Sequence, residues 1–286
     1  MNYQEAYFDS LDGLKLYYRH YTGPEKAIPV ICLSGLTRNS GDFDELATRY
    51  CHSRSFYCLD YRGRGKSSHD KNYQNYNPQI YLQDILTFMA AANIQQAIFI
   101  GTSLGGLLTM GMAGIALDKI AGAVLNDVGP EIASEGGSRI AGYVGQDARF
   151  PTLEAAAASQ RETYGHVYPG LSDEEWLSMT AVSFILDDVT GEYKLNYDLN
   201  LGKALAEQIA AGESFDLWPF FEALKAKPTM AIRGALSDVL SKDVFETMQK
   251  LHPDMIAITL ENRGHVPNLN EPPVLEALSR FLNEFD

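Results

Sequence analysis

At 286 residues, 45% hydrophobic and 21% charged, the chain has ordinary globular usage and room for one large domain or one domain plus an insertion. A chain of this size buries enough surface to need no staples, which sets aside disordered and disulfide-scaffold classes. The formal net charge of −14 repels nucleic-acid phosphates and anionic membrane surfaces, so neither nucleic acid nor a membrane is an expected partner.

The first residues, Met1-Asn2-Tyr3-Gln4-Glu5, carry neither the basic start nor the apolar run of a secretion signal. No stretch reaches the roughly 18 uncharged apolar residues of a membrane helix, and Asp118 and Lys119 interrupt the best candidate. Cys32, Cys51 and Cys58 show no metal-type spacing, and buried thiols at Cys32 and Cys58 would be inert. A reduced, cytoplasmic protein is expected, as a monomer or small homo-oligomer.

In chain order, Glu5–Ser10 and Leu14–Arg19 flank Leu11-Asp12-Gly13 and predict a hairpin. Pro29–Leu33 is a short apolar run, the mark of a strand covered on both faces. A helix near Asp42–Tyr50 and a strand Phe56–Leu59 follow, and Pro78 opens a helix through Ala92 with a largely helical apolar stripe. Next come strand Ala97–Ile100, helix Gly105–Leu117 and strand Ala121–Asn126. Such alternation predicts an α/β protein, with a parallel sheet and helices on both faces.

The alternation stops at Gly129-Pro130. From there to about Ser214 the chain reads as helix-rich, chiefly at Ala155–Ala158, Asp173–Ser178 and Gly202–Ala211, with no convincing parallel strand. It resumes with strand Pro228–Arg233, a helix from about Asp243, strand Met255–Leu260 and a last helix from Glu271. The expected organisation is a core in two parts, 1–129 and 215–286, interrupted by a helical insertion at 130–214.

The chemistry centres on Gly101-Thr102-Ser103-Leu104-Gly105, where a strand runs into Gly-x-Ser-x-Gly and a helix runs out. That context presents a serine hydroxyl on a strained turn beside a helix N-terminus, while small flanking residues let strand and helix approach. A serine hydroxyl needs a base. Of the six histidines, only His265, in Arg263-Gly264-His265-Val266-Pro267 after strand Met255–Leu260, lies on a loop at the carboxyl edge of the sheet. The acid that orients the imidazole is assigned to Asp238, in the loop after strand Pro228–Arg233; Asp127, which closes the preceding strand, is its rival. Two backbone amides should stabilise an oxyanion: Leu104, next to the nucleophile, and Leu36, in Leu33-Ser34-Gly35-Leu36.

Together these residues resemble the α/β-hydrolase superfamily, in its cap-bearing branch of esterases, lactonases, meta-cleavage-product hydrolases, epoxide hydrolases and haloalkane dehalogenases. Asp60-Tyr61-Arg62-Gly63-Arg64-Gly65-Lys66-Ser67 is similar to that branch's Asp-x-Arg-Gly-x-Gly-x-Ser turn. The resemblance implies a mostly parallel eight-stranded sheet with an α-helical cap after the sixth strand. It also implies the nucleophile–acid–base chain order of Ser103, Asp238 and His265. Ser103 departs from the aspartate elbow of epoxide hydrolases and dehalogenases, and Ser34-Gly35 replaces the His-Gly of many relatives. Cofactor-free haloperoxidase-like enzymes share the triad.

The cap would wall the substrate pocket, with Ser34, Arg38, Tyr143 and Trp176 as candidate substrate contacts. The expected reaction is hydrolysis of a small carboxylic ester or lactone through an acyl-enzyme, with no metal or organic cofactor. Carbon–carbon cleavage of a meta-cleavage product by the same triad is the enzymatic alternative. A ligand receptor or regulatory binding protein with slow turnover is the alternative from another class.

Overall fold

A computed structural model describes residues 2–212 and 216–285. Strands β1 (Gln4–Asp9) and β2 (Lys15–Tyr21) form the expected antiparallel hairpin, with Gly13 at the turn in the left-handed region. Then follow β3 (Val30–Leu33), α1 (Asp44–Tyr50), β4 (Phe56–Leu59), α2 (Pro78–Ala91), β5 (Ala97–Thr102), α3 (Leu104–Ala116) and β6 (Ile120–Asn126). Asn77 caps α2 through its side chain, and Pro78 stands at the first helical position, where its missing N–H removes no bond.

Beyond β6 lie α4 (Ser134–Tyr143), β7 (Arg149–Phe150), α5 (Leu153–Tyr164), α6 (Asp173–Ser183), β8 (Phe184–Leu186), β9 (Tyr193–Leu195), α7 (Asn200–Ala210) and α8 (Trp218–Ala223). The chain then returns to the sheet with β10 (Thr229–Gly234), α9 (Lys242–Leu251), β11 (Ile256–Leu260) and α10 (Pro272–Asn283). The eight-stranded sheet runs β1-β2-β4-β3-β5-β6-β10-β11, with every pairing from β4 to β11 parallel. This is an α/β-hydrolase fold.

Alternate residues of β5 feed separate cores: Ala97 and Phe99 join one apolar cluster, Ile98 and Ile100 the other. Both faces of the strand are thus covered, which is why its sequence runs apolar without alternation. Fully burying one such side chain contributes about 1.5–3 kcal/mol.

Besides its helices α4 to α8, the segment between β6 and β10 carries three short strands that the sequence reading did not single out. Its strands β7, β9 and β8 form a small antiparallel sheet. Two or three residues per strand are too few to show a period of two, so nothing in the sequence announced them. The expected boundary at 214/215 lies outside the described residues.

Candidate active site

Ser103 sits between β5 and α3 with φ 51° and ψ −115°. This left-handed conformation strains a side-chain-bearing residue, and it projects the hydroxyl out of the strand–helix corner. The flanking glycines are required by space. A Cβ on Gly105 would stand 2.0 Å from the Leu33 carbonyl oxygen, and one on Gly101 2.4 Å from the Gly105 backbone. The corner therefore closes only with hydrogen at both positions.

His265 follows β11, and its Nε2 lies 2.9 Å from Ser103 Oγ. Its Nδ1 lies 2.7 Å from Asp127 Oδ2. The backbone beside it is fastened to the segment after α5: Gly264 N–H donates to the Val167 carbonyl, and the Tyr168 phenol accepts from Val266 N–H and donates to the Val266 carbonyl.

Asp238 does not reach His265, so the assignment of that role to Asp238 is corrected. Its carboxylate accepts two bonds from Arg139 of α4, from Nε at 2.5 Å and from Nη2 at 2.8 Å. Arg139 holds the Asp238 carboxyl below its ordinary value, chiefly through that hydrogen bond. Asp127 stands in its place. It is fully buried directly after β6, which neighbours β5, and sits at φ 54°. Gly234 N–H donates to its Oδ1 and Ser237 Oγ to its Oδ2, at 2.7 and 2.6 Å. A buried carboxylate needs such donors, and His265 completes them. Asp238, four residues past β10, has already turned away to Arg139.

The two amides assigned to an oxyanion have no protein acceptor among the described residues. Leu104 opens α3, where the first N–H groups have no intrahelical partner. Leu36 lines the cavity beside Ser103, and its carbonyl is held by Arg64 Nε at 2.9 Å. Arg64 is completely buried, donates also to the Arg62 carbonyl and Tyr81 hydroxyl, and lies over the rings of Tyr61, Tyr76 and Tyr81. Its backbone bridges to Tyr197. The Asp60–Ser67 turn thus joins the loop after β3 to the segment after β9, a role its pattern alone did not reveal.

Ser103 and His265 open into a cavity of about 610 Å³, walled also by Arg38, Arg139, Tyr143 and Trp176. A second, of about 450 Å³, includes His265, Arg139, His166 and Asp238 but not Ser103. Arg38 pairs with Asp42 and donates to Ser183 Oγ. Burial pushes the Tyr143 phenol up to about 12, so it faces the cavity as a neutral O–H donor. Trp176 is mostly buried edge-on to Tyr168. Ser34 is corrected: it is fully buried and absent from both cavity walls. Arg139, on a helix that Gly136 and Gly137 disguise in the sequence, was missed.

Among the described residues, no three His, Cys, Asp or Glu side chains are grouped to hold a metal, and no helix is long and apolar enough to cross a membrane.

The model of the alpha/beta hydrolase family matches residues 30–278. The chain belongs to that family. It is 32% identical over 275 residues to the 3-hydroxybutyrate-oligomer hydrolase of Cupriavidus necator, covering 93% of this chain and 92% of that one. It is also 25% identical to the esterase YbfF of Escherichia coli, over 90% of this chain and 93% of that one. Among solved structures, an alpha/beta hydrolase from Novosphingobium aromaticivorans superimposes with a TM-score of 0.93 at 40% identity, covering 99% of this chain and 98% of the other.

Proposed function

We propose that this member of the alpha/beta hydrolase family is a serine hydrolase of small carboxylic esters or lactones, with Ser103 as nucleophile, His265 as base and Asp127 as acid. The observation that carries the reading is the continuous relay from Asp127 Oδ2 through both ring nitrogens of His265 to Ser103 Oγ. For His265 to accept the serine proton at Nε2, its Nδ1 must carry the other proton and donate it to Asp127. Asp127, already accepting from Gly234 and Ser237, stays an anion and stabilises the imidazolium that forms.

Attack by Ser103 Oγ on the ester carbonyl forms a tetrahedral intermediate. Its oxygen is placed at the Leu36 and Leu104 amides, each such donor typically worth about 2.7–4 kcal/mol. His265 then gives its Nε2 proton to the departing alcohol oxygen. Water, deprotonated by the same nitrogen, cleaves the acyl-enzyme.

The segment between β6 and β10 acts in this reading as a cap that walls the substrate cavity, Tyr143 and Trp176 included. A relative named for hydrolysing 3-hydroxybutyrate oligomers and another named an esterase support ester chemistry over carbon–carbon cleavage. A fluorophosphonate probe should label Ser103, and p-nitrophenyl butyrate turnover should vanish in Ser103→Ala. Folded protein that neither reacts with the probe nor turns over esters or lactones would overturn the proposal.

A further inference from the structure

The two cavities share His265, Arg139, Tyr143, Thr163 and Tyr164 in their walls, yet only the larger includes Ser103. In acyl transfer the two halves of an ester part at the serine. The alcohol half must lie on the imidazole side, because its oxygen receives the Nε2 proton of His265. The oxyanion lies on the other side, at Leu36 and Leu104. The cavity that touches His265 but not Ser103 is therefore where the alcohol half extends, and Arg139 and His166 stand in its wall.

Arg139 is oriented for a second ligand. Asp238 occupies its side-on edge, Nε and Nη2. Nη1 has no hydrogen-bond partner among the described residues, and the side chain is 35% exposed. A guanidinium fork can take one carboxylate side-on and another end-on across Nη1 and Nη2. Fixing the fork through Asp238 removes rotamer freedom that binding would otherwise cost. In a chain of net charge −14, long-range attraction does not recruit anions, so such a contact must act locally.

We propose that the Nη1 end of Arg139 receives a carboxylate carried by the alcohol half of the substrate, so that the preferred substrates are esters whose leaving group is a hydroxy acid. This rests on the ester-hydrolase reading above. Because Asp238 offsets the charge of Arg139, the contact acts through geometry and shows as selectivity between substrates.

The test uses the full chain and butanoyl esters of hydroxyacetate and 3-hydroxypropanoate, each as the free carboxylate and as its methyl ester, with Ser103→Ala as the blank. The ratio of kcat/KM for carboxylate over methyl ester should fall at least about tenfold in Arg139→Gln, carried mainly by KM, and should sit between the two in Arg139→Lys. The free hydroxy acids should inhibit the wild type competitively and weaken by a similar factor in Arg139→Gln. A ratio unchanged within about twofold overturns the carboxylate contact while ester hydrolysis stands. If the wild type cleaves none of the four esters the inference falls, and fluorophosphonate labelling then tells whether the nucleophile assignment falls with it.

Discussion

Arg139 and Asp238 form a two-pronged ion pair in the wall of the smaller cavity, and the buried Asp127 takes the imidazole of His265. Both aspartates follow neighbouring strands of one sheet, and either preserves the chain order serine, aspartate, histidine. Their environments separate them. Asp127 is fully buried among donors, whereas the Asp238 side chain is 30% exposed.

Replacing each aspartate by asparagine distinguishes their roles. Asp127→Asn favours the wrong tautomer of His265 and should lower kcat on p-nitrophenyl butyrate by about 10³–10⁴-fold. Asp238→Asn should lower it by no more than about tenfold, since it touches neither His265 nor Ser103. Steady-state kinetics on both variants checks this, and the reverse order would return the role to Asp238.

Arg64 holds the Leu36 carbonyl through Nε, beside the amide that the proposal assigns to the oxyanion. Arg64→Met should loosen the oxyanion loop and lower kcat about 10–100-fold while KM changes little. The affinity of a trifluoromethyl ketone, which mimics the tetrahedral intermediate, should fall in parallel. If affinity holds while only Tm drops, Arg64 is merely structural.

Tyr168 satisfies both backbone polar groups of Val266, the residue after His265. Tyr168→Phe leaves both groups without the phenol and should destabilise the His265 loop by about 1–3 kcal/mol. Faster amide exchange at Val266 and reduced kcat are the expected readouts.

At the corner beneath Ser103, Gly105→Ala places a methyl against backbone rather than a flexible side chain. The strand–helix corner must open, destabilising the protein by about 1–3 kcal/mol or more. Thermal unfolding measures the loss, and activity should fall further than Tm alone explains because Ser103 moves with the corner.

One acid-sensitive contact lies far from the site. Arg62, buried among Asp12, Asp70 and Asp84, lowers the Asp12 carboxyl from 3.8 to about 2, chiefly by hydrogen bonding. A depressed carboxylate contributes stability above its unfolded value and loses it as pH falls through its folded one. Asp12 is half exposed, so the contribution is at most about 1 kcal/mol. The urea-midpoint gap between wild type and Asp12→Asn should therefore be full at pH 7 and shrink from about pH 4 toward pH 2.

Much of the architecture is legible in the chain itself. Short apolar runs at β3, β4, β5 and β10, separated by helical stripes, demand a sheet covered on both faces. The strand, Gly-x-Ser-x-Gly and helix sequence states a local steric requirement that any reader of the residues can recover. These features are local, set by periodicity and by the space around a glycine, so the sequence by itself determined them. The partner of His265 was of another kind. Asp127 and Asp238 are told apart by burial and by which distant groups, Gly234 and Ser237 for one and Arg139 for the other, satisfy their charge. Those neighbours are 100 or so residues away along the chain, and only the tertiary structure brings them together. Burial, with no competing cation paired to it among the described residues, left Asp127 for the imidazole, while Arg139 claimed Asp238.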